Sequence, residues 1–537
     1  MQIKKTSAIG GQWLCEQFHL PLVNALAVYS RIGARRQTVA AGAGATETYQ
    51  EMMRPDETVR GHLTFHLKHE AISLEMLSRL FAKAPVTEFV EWIANEPTSQ
   101  YARRAGFLYE WLTGKELNLD GVKVGGNYVD ALNANDLVVA QPSSANGRWR
   151  VRDNMPGTRE FCPTVRLTAL TEAAMSINCQ QMLDELQIEF GSEMLLKSAV
   201  WLTFRESRSS FQIEGEVDKK DRIERFADVL HNFTGQGEPP LDQESLAMLQ
   251  RSILGEATSI RLPGIRQSPV FIGQTVRYQE VIHYVAPPAE DVTGMLDGIG
   301  KFLARTAGQS PVMRAAVASF GFVYVHPMAD GNGRVHRFLI NDILRRDGAV
   351  PAPLIVPVSG LITRDAQERL AYDKVLDSFS KPMMQTYAGA SRLEGRSIEY
   401  EDGICSNFIF DATDDARHAW RFVDYTPHVQ YMGGVLERTI HQEMRDEAVY
   451  LRSHLRARNA VKEVIEMPDQ QVDRVIRSIE QNNGVLSGVL AKEIPYLARP
   501  GIWAQVYEGV RASFRVEAPL NDAGHEPEVV KVDVAQR

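Results

Sequence analysis

The sequence predicts a mainly α-helical protein with one small β-hairpin. Three observations carry this. Val312, Ala315, Ala316, Phe320 and Val323 recur at spacings of three and four, the stripe of a helix that turns one face to a core. Phe338, Leu339, Ile343 and Leu344 repeat the pattern downstream, and Val292, Met295, Leu296, Ile299 and Phe302 repeat it upstream. Against these stands one candidate hairpin. Val270-Phe271-Ile272-Gly273 and Tyr284-Val285-Ala286-Pro287-Pro288 are short β-branched and aromatic runs bounded by Gly and Pro.

The elements follow in chain order. A chain of 537 residues suggests two to four domains. Residues 1–185 are expected to form an α-rich N-terminal domain, with helical runs at Leu74–Phe81 and Phe89–Ile93. Gln141–Pro163 is rich in Pro, Gly, Ser and Arg and predicts irregular or short-strand structure. Within it Arg148, Trp149, Arg150 and Arg152 interleave cations with an aromatic. That pattern suits a nucleic-acid footprint, or alternate residues of a strand packed against the next domain, the reading an acidic chain favours. His62, His66 and His69 share a helical face. A transition-metal site is one reading, and a polar face with imidazoles in solvent is the favoured one.

Residues 186–385 hold the stripes and the hairpin. Pro311 opens the first motif-flanking helix, while Arg345, Arg346 and Gly348 close the second. From about 386 to 520 a helical domain is expected, with a long charged stretch at 428–458 and short helices at Val472–Ile479, Val485–Leu490 and Gly501–Phe514. Residues 521–537 read as a polar tail.

Between the two motif-flanking helices, residues 326 to 337 read His-Pro-Met-Ala-Asp-Gly-Asn-Gly-Arg-Val-His-Arg. This places Gly331-Asn332-Gly333 just before a helix N-terminus, where free N–H groups and the dipole favour an anion. Glycine lets backbone approach phosphate oxygens without a Cβ in the way. Arg334 and Arg337, three apart, present two guanidinium forks on one helix face. Asp330 offers a hard oxygen for Mg²⁺, and His326 a base for a hydroxyl. A polar helix connection would explain a lone Gly-Asn-Gly, but not His, Asp, both glycines and both arginines in this order.

These twelve residues resemble the signature of the Fic family, His-Pro-Phe-x-Asp/Glu-Gly-Asn-Gly-Arg-x-x-Arg, departing only at Met328. A large apolar Met is expected to anchor the loop in the core as Phe would. The resemblance implies a Fic-type helical bundle and transfer of AMP from ATP to a protein hydroxyl. His326 would take the hydroxyl proton and Asp330 would hold Mg²⁺ between the α- and β-phosphates. Asn332 with the Gly331 and Gly333 backbone would hold those phosphates. Arg334 would meet the β-phosphate and Arg337 the γ-phosphate. Val270, Phe271, Ile272 and Gly273 would belong to the family's flap, which holds the target segment by strand addition.

The segment Ser210-Phe211-Gln212-Ile213-Glu214-Gly215 resembles the family's inhibitory motif. Ser210 and Glu214 stand one above the other on a helix. The resemblance implies that Glu214 pairs with Arg337 and keeps it from the γ-phosphate, in an ion pair expected to be partly exposed and worth about 0 to 1 kcal/mol. Some relatives move other phosphate-bearing groups or remove AMP, and a relative that phosphorylates usually has Lys where Gly333 stands. A reading of a different class is a regulatory DNA- or protein-binding module with a silent Fic domain. An intact His326 and two intact arginines argue against it. The C-terminal segment stands where many Fic proteins carry a winged helix, yet its charges are mixed, with no basic stripe.

A net charge of −9 and a pI of about 5.9 argue against nucleic acid as a main partner. Cys15, Cys162, Cys179 and Cys405 lack metal or redox spacing, which suggests buried reduced thiols in a cytoplasmic protein. No signal peptide and no membrane span are expected. The partners implied are ATP and a target protein, the chain itself included, with homodimerisation open.

Overall fold

The stripe from Val312 to Val323 understates the helix it marks. In the computed structural model, which describes residues 7–41, 44–216, 220–255, 258–276, 279–482 and 484–515, the helix Pro311–Val325 is buried on every side from Val312 onward. Such a helix needs apolar residues all round, and only Arg314 carries charge. Its guanidinium is matched to Asp347 at 2.6 Å and to the Leu303 carbonyl. Ser310 caps the start by accepting from the Met313 N–H. Around it pack Ala289–Arg305 and Asn332–Arg346. Gly321, mid-helix, has a packing reason: a Cβ there would lie 2.9 Å from Phe161 Cζ. Gly298 makes room for Cβ of the same residue and for the Thr158 hydroxyl. Phe161 is 1% exposed, and truncating such a side chain costs about 3–5 kcal/mol.

The chain forms two compact units, Met1–Asp184 with Ala199–Glu443, and Glu185–Ser198 with Met444–Arg537. Division by composition, at 185 and 385, does not coincide with these units. Residues 421–426 pair with the N-terminal part, Cys162 N–H donating to Arg421 O at 2.8 Å and Tyr425 N–H to Thr164 O at 2.8 Å. Arg79, 1% exposed, reaches Asp415 at 2.7 Å and the Tyr387 hydroxyl at 2.9 Å. These bonds make 386–443 part of the first unit.

In that unit the N-terminal helices Leu74–Lys83 and Val86–Asn95 stand where the periodicity puts them. They share a core with Trp149, which is fully buried. Trp149 Nε1 donates to Glu110 at 2.7 Å, and its ring fills the space left by Gly106. Arg148 pairs with Glu110 and Glu116, and Arg152 with Asp130. The Arg-Trp-Arg stretch thus packs on its own domain's core, not against the next domain and not as a base-stacking face. The histidine face also departs from expectation, because His62 and His66 are each 1% exposed. His62 stacks on Trp13 and accepts from the Gly10 N–H, and His66 bonds Glu70 at 2.6 Å. They fasten the helix Gly10–Phe18, and no set of three metal-ligating side chains occurs among the described residues.

Two β features were not expected. Val28–Ile32, Gly44–Tyr49 and Gln37–Ala41 form a three-stranded sheet whose first pair is parallel. Ser391–Glu399 and Cys405–Phe410 form a hairpin. Cys405 is exposed there and Cys15 half-buried, so only Cys162 and Cys179 are buried thiols, and all four are unpaired.

The second unit is helical. Arg445–Val464, Asp469–Gln481, Gly488–Glu493 and Ile502–Arg515 close over Val461, Val472, Val475, Ile476, Leu490, Val506 and Val510. It has no strand among its described residues, hence no β wing there. Arg458 pairs with Asp473 and Lys462 with Asp469. The tail at 521–537 lies outside the described residues. No helix among the described residues is long and apolar enough to cross a membrane.

Candidate active site

The buried helix Pro311–Val325 stops at His326, whose φ of 49° puts a non-glycine residue in the left-handed region, a conformation that costs about 1–2 kcal/mol. Arg266 holds the backbone there. Its N–H donates to Pro327 O at 2.8 Å, its Nε to His326 O at 2.7 Å and its Nη2 to Val325 O at 3.4 Å. The same guanidinium donates to Ser268 O at 2.8 Å and Pro287 O at 2.5 Å, on either side of the hairpin. Arg266 is fully buried, and burial lowers its pKa to about 10.

The loop beyond is closed from within. Met328 is 0% exposed, the anchoring role expected of it. The Asn332 side chain grips it, Oδ1 accepting from Met328 N–H at 2.9 Å and Nδ2 donating to Met328 O at 2.7 Å. Both polar atoms of Asn332 therefore serve loop shape. Gln250, missed in the sequence, donates to Asp330 O at 2.7 Å and accepts from Gly264 N–H at 2.8 Å. Gly331, at φ 93°, takes the left-handed position that starts the helix Asn332–Arg346, and no side chain caps that helix. The Arg334 N–H turns back to Gly331 O at 3.1 Å, and a helix start without a side-chain cap is a place for an anion. His326 Nδ1 lies 3.1 Å from Val323 O, so the proton belongs on Nδ1 and the Nε2 lone pair is available. Burial, aided by Arg266, lowers the imidazole pKa to about 4, so it is neutral near pH 7.

The arginines are already engaged. Arg334 and Arg337 side chains are only 1% and 2% exposed. Arg337 Nε donates to Ser210 Oγ at 2.6 Å, and its Nη2 to Glu214 Oε1 and to Ser210 O. Glu214 Oε2 lies 3.3 Å from Arg334 Nη2. The helix Ser192–Ile213 delivers these groups through its end. Glu216 N–H donates to Phe211 O at 2.9 Å and Gly215 N–H to Gln212 O at 3.1 Å. With Gly215 at φ 75°, this is a Schellman stop, in which glycine supplies the left-handed residue. It folds Glu214 back over Gly333, where a Cβ would collide with Glu214 Oε1. One turn before Ser210 lies Glu206, fully buried and also missed in the sequence. It accepts from Ser359 N–H at 2.7 Å and Ser359 Oγ at 2.6 Å, and burial pushes its pKa up to about 7.

A sequence model described as the Fic/DOC family matches residues 240–344, the span holding the hairpin, the three helices and the loop. The chain carries a Fic/DOC-family domain. It is 27% identical over 196 residues to protein adenylyltransferase fic-1 of Caenorhabditis elegans, covering 35% of this chain and 36% of that one. To the fic-1 protein of Caenorhabditis briggsae it is 27% identical over 164 residues, 29% of this chain and 30% of that one. To protein adenylyltransferase Fic of Drosophila virilis it is 32% identical over 111 residues, 20% and 21% of the two chains. The match thus spans about a third or less of these relatives. A Fic family protein from Desulfovibrio desulfuricans G20 aligns at 18% identity and TM-score 0.35, over 61% of this chain and 87% of that one.

The Fic domain's hairpin is formed by Phe271–Val276 and Gln279–Val285, antiparallel, with a register shift between Ile272 and Gly273. Phe271 packs on Phe408 at 4.6 Å between ring centroids, while Ile272 is 41% exposed. The Asp402 carboxylate accepts from the N–H groups of Gln267 and Ser268 at 2.8 and 2.9 Å. The later hairpin therefore braces the base of the flap.

The Fic domain's donors suit a nucleotide with Mg²⁺. Arg334 Nε and Nη1 are buried without a hydrogen-bond partner among the described residues, a state that favours an arriving anion. Asp330 is 49% exposed, with Oδ1 3.5 Å from Arg334 Nη1. One carboxylate suits Mg²⁺, which takes its other ligands from phosphates and water. The N-terminal cavity of about 880 Å³ differs: Arg36 there pairs with Glu47, Arg152 with Asp130, and Arg104 donates to Leu67 O and Ala131 O.

Proposed function

We propose that this chain is a protein adenylyltransferase, held off by its own helix, that moves AMP from ATP to a hydroxyl side chain of a target protein. The observation that carries the reading is the motif, matched at every signature position but Met328, with its second arginine bound to Ser210 and Glu214. The relatives named protein adenylyltransferase support it. The target hydroxyl would give its proton to His326 Nε2 as its oxygen bonds the α-phosphorus. The bond from that phosphorus to the bridging oxygen then breaks, and pyrophosphate leaves. Arg334 and Arg337 would orient the β- and γ-phosphates, and the helix N-terminus would face the developing charge. Mg²⁺ on Asp330 would add charge neutralisation.

The flap's exposed edge at Ile272 and Gly273 would hold an extended target segment by strand addition. Gly333, in place of the lysine of phosphorylating relatives, favours AMP as the group moved. Four unpaired cysteines accord with a reducing, ATP-containing cytoplasm. Purified protein incubated with ATP labelled at the α- or the γ-phosphate tests the reading: α-label should reach protein once Glu214 is replaced. Exclusive γ-label transfer would make the chain a kinase instead.

A further inference from the structure

The stop that places Glu214 also places a second carboxylate. Glu216 occupies the outer position of the Schellman turn, so its N–H is fixed by Phe211 O and its side chain returns toward the motif helix. There Glu216 Oε2 pairs with Arg334 Nη2. The Arg334 guanidinium lies over the Phe211 ring, 4.5 Å from its centroid. Both arginines of the motif are thus held by one helix end, Arg337 by Ser210 and Glu214, Arg334 by Phe211, by Glu216 and, at 3.3 Å, by Glu214 Oε2. The inhibitory motif assigned by resemblance stops at Gly215 and leaves Glu216 out.

We propose that Glu216 is a second lock, which keeps Arg334 from the β-phosphate while Glu214 keeps Arg337 from the γ-phosphate. This deepens the adenylyl-transfer reading and rests on it. Glu214 pairs with Arg337 and reaches Arg334 only at 3.3 Å, so it bears chiefly on the third phosphate, whereas Glu216 bears on the second through Arg334. Release has a destination in the structure, since Arg222 Nη1 already lies 3.7 Å from Glu216 Oε1. As a β-phosphate takes Arg334, the carboxylate can transfer to Arg222 without becoming an unpaired charge. Replacing Glu214 alone therefore leaves a nucleotide site that is half closed.

The test measures ADP and AMP binding to the full chain by calorimetry, in the wild type, Glu216→Gln and Glu216→Ala. ADP should bind at least about tenfold more tightly in both variants, the effect of freeing one charge-assisted contact, and AMP affinity should stay unchanged. Equal ADP affinity in wild type and both variants, with melting temperatures preserved, overturns the second lock. Equal tightening of AMP overturns it too, because the effect would not then belong to the β-phosphate. Transfer of α-label separates this from the reading beneath it. The Glu214→Gly/Glu216→Gln pair should outpace Glu214→Gly. If both label protein equally, the lock fails and adenylyl transfer stands. If neither labels while both remain folded and bind ATP, adenylyl transfer fails.

Discussion

Arg337 Nε donates to Ser210 Oγ at 2.6 Å, so the second motif arginine is fixed by a helix that is not part of the motif. Glu214, on the next turn, takes another arm of the same guanidinium. In the proposed reaction a γ-phosphate would compete with this helix end for one fork, at an arginine that is 2% exposed. The pair was expected to be partly exposed and weak. Only the Glu214 side is, so removing Glu214 leaves a buried cation with Ser210, Tyr372 and the more distant charge of Glu206. A loss of about 1–3 kcal/mol without nucleotide is expected, recovered in part when ATP is added. Thermal melts of Glu214→Gly with and without ATP check this.

His326→Ala should abolish transfer while nucleotide binding persists. In the proposed reaction the imidazole takes the proton of the incoming hydroxyl, and loss of a general base costs about 10²- to 10⁴-fold. Single-turnover rates beside ATP titrations measure both effects, and an undiminished rate would assign the base elsewhere.

The pH profile should show an unusually low acid limb. Burial and Arg266 put the His326 pKa at about 4, below the ordinary 6.5, and Glu214 opposes them. The base works deprotonated, so kcat/KM of Glu214→Gly should stay level as pH falls through 6.5 and drop only near pH 4. Removing Glu214 shifts the limb further down, not up. A half-maximal rate near pH 6.5 would contradict this environment for the base.

Arg266→Met should lower kcat about 100-fold, the cost of a displacement near 1 Å, and leave ATP affinity nearly intact. Arg266 touches backbone at Val325, His326 and Pro327 and at both ends of the flap, but the arginines meant for phosphates do not depend on it. Lysine, with one ammonium in place of a planar fork, should not restore the rate. Equal losses in kcat and ATP affinity would show general loosening.

Asp330→Ala introduced into Glu214→Gly should match the effect of chelating Mg²⁺ from Glu214→Gly itself, and added Mg²⁺ should not rescue it. Full activity in chelator would remove the metal assignment.

Much of the Fic domain was legible because its signals are local. The stripes at 292–302 and 312–323 and the Pro311 start each depend on neighbours in sequence. Met328 could be read as an anchor because only its size and apolarity mattered. What escaped reading was contact over long separations. Gln250, Arg266 and Glu206 are polar residues whose roles arise from backbone groups about 60 to 150 positions away. Glu216 looks like any surface acid until the Schellman turn directs it. The parallel pairing of Val28–Ile32 with Gly44–Tyr49 has little apolar alternation to announce it. His62 and His66 have a polar pattern, yet they are buried because Trp13, Gly10 and Glu70 supply partners.

The measurement that bears most directly on the central claim is transfer of label from ATP carrying its radioactive phosphate at the α-position, comparing wild type with Glu214→Gly at matched folding. The variant should label protein, itself included, well above wild type, and Glu214→Gly with Arg337→Ala should return to background. Unchanged labelling in the single variant, with ATP bound and the fold intact, would mean that the Ser210–Gly215 segment does not restrain this site.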